Sequence, residues 1–508
     1  MDIMMESPFA LFIISVLDLL STLFVVALGI VFAVIVVMFI IDITQSSDAV
    51  RRNYPVLGRF RYLFSELGEF FRQYFFAMDR EEMPFNRAER DWVDRAAKGK
   101  SNTIAFGSTK NLTPPGTSIF VNSPFPALDE EADMVQSLQI GPYAKTPYDA
   151  PSFFNISGMS YGALSGPAIR ALSQGAKMAK CWLNTGEGGV APQHLESGAD
   201  IVFQIGTAKY GVRDQKGNLS DEKLREVADH PQIKMFELKM SQGAKPGKGG
   251  ILPAVKVTEQ IAKIRGIDEG QASISPNRHP DISSAKDMLD VINRIQQVTG
   301  KPVGFKAVIG EFSWIEDMCI EIHKRGIEHA PDFFTIDSGD GGTGAAPMPL
   351  MDNVGLTIRE SLPAAVDILC KYGLRERIRV IVGGKLINPS EVAWAIATGA
   401  DFVTSARGFM FSLGCIQALK CNKNTCPTGI TTHNRRLQRG LDPEDKAVRV
   451  ANYHKNLVHE VEIISHSCGV GRPRLLERKH VRVMQDNGKS MPMNELYPEP
   501  KTKTEYAN

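Results

Sequence analysis

The chain has 508 residues, 43% of them apolar and 23% charged, with 58 Lys+Arg against 57 Asp+Glu. A disordered tail protein would be less apolar and more charged, and a mean hydropathy of −0.13 excludes a multi-span transporter. The formal net charge of +1 gives no electrostatic reason to expect a nucleic-acid partner.

The apolar residues concentrate at the N-terminus. From Leu19 to Ile41 no charged side chain occurs, and about 20 helical residues cross a bilayer core. Asp2, Glu6 and Asp18 precede this stretch and no Lys or Arg comes before Arg51, whereas a signal peptide opens with a basic region. Arg51, Arg52, Arg59 and Arg61 follow, which by the positive-inside rule puts the body in the cytoplasm. The expectation is a single transmembrane anchor over residues 1–45 at the cytoplasmic membrane. A buried core helix is the alternative, disfavoured because the stretch is apolar on every face.

Residues 46–150 read as a helical and loop adaptor. Its aromatic run FRQYFF at 71–76 is expected to pack internally, with membrane-surface or partner docking as the alternative. From 151 to 470 a regular pattern begins. Short apolar runs occur at 153–160, 181–188, 200–206, 235–242, 303–310, 333–339, 379–385 and 401–408, with helical-period segments between most of them. Strand–helix alternation signals a parallel sheet, and eight units over about 260 residues predict a (β/α)8 TIM barrel, typically about 250 residues long. A doubly wound open sheet is the runner-up.

The runs end in polar or glycine-rich chemistry: Met159 and Ser160, Glu187, Gln204, Lys239, Lys306, Asp337 and Ser338, Gly383 and Gly384, Ala406 and Arg407. Barrel active sites form at the carboxyl ends of the strands, so these ends predict one shared polar site. GDGGTG at 339–344 matches a dinucleotide fingerprint, but Pro347 and Pro349 follow where a helix must open. A glycine loop passing close to a cofactor explains it better.

Beyond the last strand, Cys415, Cys421 and Cys426 form a C-x5-C-x4-C array followed by Pro427. Three close thiolates ending in Cys-Pro suit an iron–sulfur cluster. Zinc, with His433 as a fourth ligand, and coincidence are the alternatives. The other four cysteines read as core packing. Phosphate groups often sit at the loops after barrel strands seven and eight. Gly383 and Gly384 permit that approach and Arg407 adds charge, which beside an iron–sulfur cluster points to flavin mononucleotide (FMN). Lys239 or Lys306 could then stabilise the reduced ring. Residues 471–508 are expected to form a peripheral tail.

The motifs SGMSYGALS, NTGEGG, FQIGTAKYGV, ELKMSQGAKPGKGG, ISPNRHPDI, IDSGDGGTGAAP and NTCPTGI, in this order, resemble the FMN-binding synthase domain of glutamate synthase. The whole chain resembles its stand-alone, membrane-anchored bacterial type. The resemblance implies a barrel with FMN at its mouth and a [3Fe-4S] cluster on Cys415, Cys421 and Cys426. It implies formation of 2-iminoglutarate from ammonia and 2-oxoglutarate, then hydride reduction to L-glutamate. Lys245 and Arg265 correspond to residues that hold the substrate carboxylates, and Glu187 to the acidic residue beside the flavin; Glu187 and Lys245 are the catalytic candidates.

Position 251 is Ile where that family typically has a substrate-binding Gln, no glutaminase domain with an N-terminal Cys is present, and no nicotinamide motif is found. Ammonia is therefore expected to be free or partner-supplied, and electrons to come from ferredoxin, a reductase subunit or a membrane carrier. The alternatives are an FMN and iron–sulfur oxidoreductase acting on another oxo acid, amino acid or amine, and a non-catalytic redox scaffold or sensor.

Overall fold

A computed structural model describes residues 8–76, 78–128, 130 and 137–506. The chain divides into two compact units, Met1–Arg87 and Ala88–Asn508.

In the first unit the apolar stretch forms one continuous helix, α1 (Pro8–Thr44), whose large apolar side chains are exposed. It is long and apolar enough to cross a membrane by length and composition. At its end Asp42 is fully buried under two guanidinium groups, with Arg51 Nη2 at 2.7 Å and Arg59 Nη2 at 2.8 Å, and it accepts the Val56 N–H. This clamp joins α1 to α2 (Leu57–Phe71). Phe60, Phe64, Phe75 and Phe76 are exposed, while Phe60 meets Phe64 and Phe71 meets Phe75 with ring centroids 6.3 and 5.6 Å apart.

The second unit is built on a closed barrel of eight parallel strands: β1 (Phe154–Ile156), β2 (Leu183–Asn184), β3 (Ile201–Ile205), β4 (Ile233–Lys239), β5 (Val303–Val308), β6 (Phe333–Asp337), β7 (Arg379–Gly383) and β8 (Phe402–Ser405). Seven fall within the expected runs, β4 begins two residues before its run, at Ile233, and β1 pairs with β8 to close the ring. The open-sheet alternative is excluded.

Local signals set the surrounding helices. Ser165 caps α3 (Gly166–Ala179) by accepting from Ala168 N, and Lys180 ends it in the left-handed region at φ 54°. Asn388 caps α4 (Pro389–Thr398) with proline in its first turn. The 25-residue α5 (Pro443–Ser467) comes after the cysteine loop and packs against α3.

The amino end of the barrel is plugged. Ile140, Tyr148 and Ala150, from the antiparallel pair 138–140 and 148–150, form one buried cluster with Trp182, Val202, Met235, Phe333, Ile381 and Phe402 of the barrel. Trp182 lies 5.1 Å from Phe402 between ring centroids. An apolar plug at this end leaves the polar chemistry at the other.

The C-terminal segment differs from the expected peripheral arm. Strands Val481–Met484 and Ser490–Pro492 join Ser118–Phe120 in an antiparallel sheet. Met493 is buried and receives the Thr398 hydroxyl at its sulfur.

Candidate active site

Parallel register lines up the carboxyl ends. Lys239 of β4 lies beside Lys306 of β5, which is followed along β6 and β7 by Asp337 beside Gly383 and then by Thr404 of β8. Two adjacent buried ammonium groups require anions. Lys239 Nζ is 2.8 Å from Glu187 Oε2 and Lys306 Nζ is 3.0 Å from Asp337 Oδ2. Burial opposes the charge on Lys306, but Asp337 and Glu237 outweigh it and hold its pKa above the usual lysine value.

These groups open on one cavity at the barrel mouth. Of the expected cofactor residues, Gln204, Lys239, Lys306, Gly384, Ala406 and Arg407 line it. Gly383 sits one step behind: its carbonyl accepts Ser338 N, and a Cβ there would meet Thr404 Oγ1 at 3.2 Å. Met159 and Ser160 are not among the lining residues; their backbone packs on Gly186, where a Cβ would fall 2.5 Å from Ser160 N.

Sequence reasoning missed Ser157, Gln242, Lys385, Thr404 and Ser405, which also line the cavity. Their signal was position alone, since each lies at or just beyond a strand end. Gln242 accepts Lys239 Nζ at 2.7 Å and donates to Thr343 Oγ1, tying the GDGGTG loop to the lysine. That loop also places Asp340 2.9 Å from Lys385, and it covers Arg407 so closely that a Cβ on Gly342 would meet Arg407 Nε at 2.8 Å.

Glu187 stands on a one-turn helix, Gly186–Gly188, pinched between glycines. A Cβ on Gly206 would lie 2.6 Å from Glu187 Cβ, and one on Gly250 would lie 2.3 Å from Oε1. Glu187 Oε2 is buried against the Lys239 ammonium. Burial raises the Glu187 pKa, but Lys239, Lys245 and Arg265 together hold it below the usual range.

Lys245 is buried; burial lowers its pKa to about 8 against the pull of Glu187. Arg265, at the end of helix Glu259–Arg265, donates to Ser273 Oγ at 3.0 Å and to the Tyr161 carbonyl at 3.2 Å and lies over the Tyr210 ring. Burial lowers its pKa as well, opposed by Glu187. The three cations around Glu187 exceed what one carboxylate neutralises, and that surplus suits an anionic ligand. Ile251 follows Gly250 on the hairpin strand Ile251–Leu252, paired with Ile274.

The cysteine loop carries three non-glycine residues in the left-handed region, Gln417 (φ 56°), Leu419 (φ 53°) and Asn424 (φ 60°), a backbone cost that clusters at functional sites. Burial pushes the Cys415 thiol up to about 12, with Cys421 and Cys426 adding to the rise. Cys426, beside the Thr428 hydroxyl at 3.3 Å, is instead held below the usual thiol value: burial raises it, and hydrogen bonds from Thr428 and Thr431 outweigh that. His433 directs Nε2 to the Gly162 carbonyl at 2.9 Å. Among the described residues no three His, Cys, Asp or Glu side chains converge on a single ion. Lys256 donates to the Ala163 carbonyl at 2.6 Å and the Cys421 carbonyl at 3.3 Å, bridging the barrel mouth and this loop.

A closed parallel barrel with its buried charges gathered at the carboxyl ends of the strands is the architecture of a barrel enzyme. Comparison with known proteins gives the family. Residues 128–471 match the conserved region of glutamate synthase, and the chain belongs to the glutamate synthase family of oxidoreductases. It is 38% identical over 498 residues to the glutamate synthase large subunit-like protein YerD of Bacillus subtilis, covering 90% of this chain and 94% of that one. It is 33% identical over 344 residues to the archaeal-type glutamate synthase [NADPH] of Thermotoga maritima, covering 67% of this chain but only 63% of that protein. Among solved structures, the flavin-binding domain of baker's yeast flavocytochrome b2 aligns with a TM-score of 0.46 at 14% identity, over 82% of this chain and 85% of that one.

Proposed function

We propose that the protein is a glutamate synthase-type oxidoreductase that aminates 2-oxoglutarate reductively to L-glutamate, with FMN in the mouth cavity and a [3Fe-4S] cluster on Cys415, Cys421 and Cys426. The observation that carries this reading is the gathering of Lys239, Lys245 and Arg265 around Glu187, with Lys239 lining the same cavity as Gln204, Lys306 and Arg407.

The residues fit the flavin. Gly384, Lys385 and Arg407 would hold its phosphate through close backbone approach and positive charge, and Gln204, Lys239 and Lys306, which line the same cavity, would hold its ring. Bound there, FMN supplies the hydride that reduces the imine carbon. Lys245 and Arg265 bind the two carboxylates of the oxo acid, Glu187 holds or transfers the imine proton, and the glycines around it exclude bulk water. Three thiols without a fourth ligand suit a three-iron cluster, and Lys256 lies where it would balance negative charge. Apolar helix α1 supports a membrane anchor with the catalytic unit in the cytoplasm, and ammonia and electrons come from outside the chain.

The test is to purify the full chain in detergent, record flavin absorption and the electron paramagnetic resonance of the iron, and assay L-glutamate formed from 2-oxoglutarate, ammonium and a low-potential reductant. Product with both cofactors present supports the reading, and none despite full flavin and cluster overturns it. Ile251, which follows the Gly250 that packs on Glu187, favours a second reading in which another oxo acid, an amino acid or an amine is the substrate. Flavin bleaching across a substrate panel, for the native chain and Ile251→Gln, separates the two.

A further inference from the structure

Glu237 lies outside the mouth cavity. It lines a smaller space beneath it, with Asn184, Thr335 and Lys306, and is buried. An ionised carboxylate only accepts hydrogen bonds, and Glu237 accepts from three other strands. Gln204 Nε2 of β3 and Asn184 Nδ2 of β2 both donate to Oε1, at 2.7 and 2.8 Å, and Thr335 Oγ1 of β6 donates to Oε2 at 2.6 Å.

An amide has a donor end and an acceptor end, so drawing the donor end of Gln204 inward leaves its carbonyl oxygen for the cavity. No donor among the described residues reaches that oxygen. The same logic governs Asn184: with Nδ2 on Glu237, its Oδ1 accepts Gly186 N at 2.9 Å, which fixes the turn that carries Glu187.

We infer that Glu237 is a positioning residue that sets the direction of the Gln204 amide, so that the cavity presents an acceptor and selects a ring bearing an N–H donor, such as the imide N–H of a flavin. This rests on the flavin reading above. Without Glu237 the Gln204 amide is free to rotate, and the selection is lost while the cavity remains.

The test measures FMN affinity by flavin fluorescence on the full chain freed of flavin, beside an FMN analogue methylated at the imide nitrogen. Glu237→Gln, which keeps an acceptor for both amides, is expected to hold FMN within about threefold of the native chain, whereas Glu237→Leu binds it roughly tenfold more weakly. The native preference for FMN over the methylated analogue should collapse in Glu237→Leu. Because Glu237 sets the preference through Gln204, adding Glu237→Leu to Gln204→Leu should leave the ratio of FMN to methylated-analogue affinity within about threefold of that of Gln204→Leu alone. Where Glu237→Leu does not accumulate folded, Glu237→Asp, which withdraws the acceptor by one methylene group, is expected to weaken FMN and narrow the preference in the same direction. Unchanged affinity and preference in these variants, or fully additive losses, overturn the inference alone. A native chain that binds no FMN overturns the flavin reading and this inference with it.

Discussion

Lys245 combines burial with a pKa lowered to about 8, which sets a pH dependence. Below that value the ammonium is present to meet a substrate carboxylate; above it the cation is lost. We predict that kcat/KM for the oxo acid falls about tenfold per pH unit above pH 8, because kcat/KM reports groups of the free enzyme. In Lys245→Arg this limb should vanish up to about pH 10, since guanidinium stays charged; initial-rate pH profiles of the two proteins check this. Lys245 was legible only through motif resemblance, because its surroundings are made by loops distant in sequence. Glu237 was not legible at all. It stands inside the strand IKMFELK, and a single carboxylate in an apolar run gives no hint that three donors from other strands will surround it.

Among the elements, the eight barrel strands were readable because burial on both faces leaves near-continuous apolar runs, as in the fully buried IVFQI of β3. The small sheet of 118–120 with 481–484 and 490–492 was not, because three short strands far apart in sequence carry no periodic signal. Helix contacts show a different dependence on detail. Gly175 of α3 faces Val450 of α5, and a Cβ there would lie 2.4 Å from Val450 Cγ1. Gly175→Val should therefore destabilise the unit by about 1–3 kcal/mol through overpacking. Gly175→Ala meets the same clash, partly offset by the roughly 1 kcal/mol helix preference of Ala over Gly. Thermal or denaturant unfolding of both variants against the native chain measures the difference, and because Val450 Cβ at 2.5 Å and the Ala447 carbonyl at 2.9 Å would still be met, Val450→Ala in the Gly175→Ala background should not recover the loss.

At the scale of the molecule, the uncharged stretch from Leu19 to Ile41 lies within a helix whose large apolar side chains are unburied. We predict that the full chain stays in the membrane pellet through an alkaline carbonate wash, and that paired Leu23→Arg and Val26→Arg substitutions, each costing about 2.5–3.5 kcal/mol at a bilayer centre, move it to the soluble fraction. Retention of the native chain without a membrane, or of the double variant in the pellet, counts against a span.

The pairing of Ser118 with Val483 also carries a consequence for biosynthesis. Strand 118–120 leaves the ribosome well before its hydrogen-bonding partner, 481–484, is made. Its open edge waits while the whole barrel between them is synthesised, and pairings of such long sequence separation form slowly. The barrel strands thus meet one another first, and the seam that ties 118–120 to 481–484 is the later stitch.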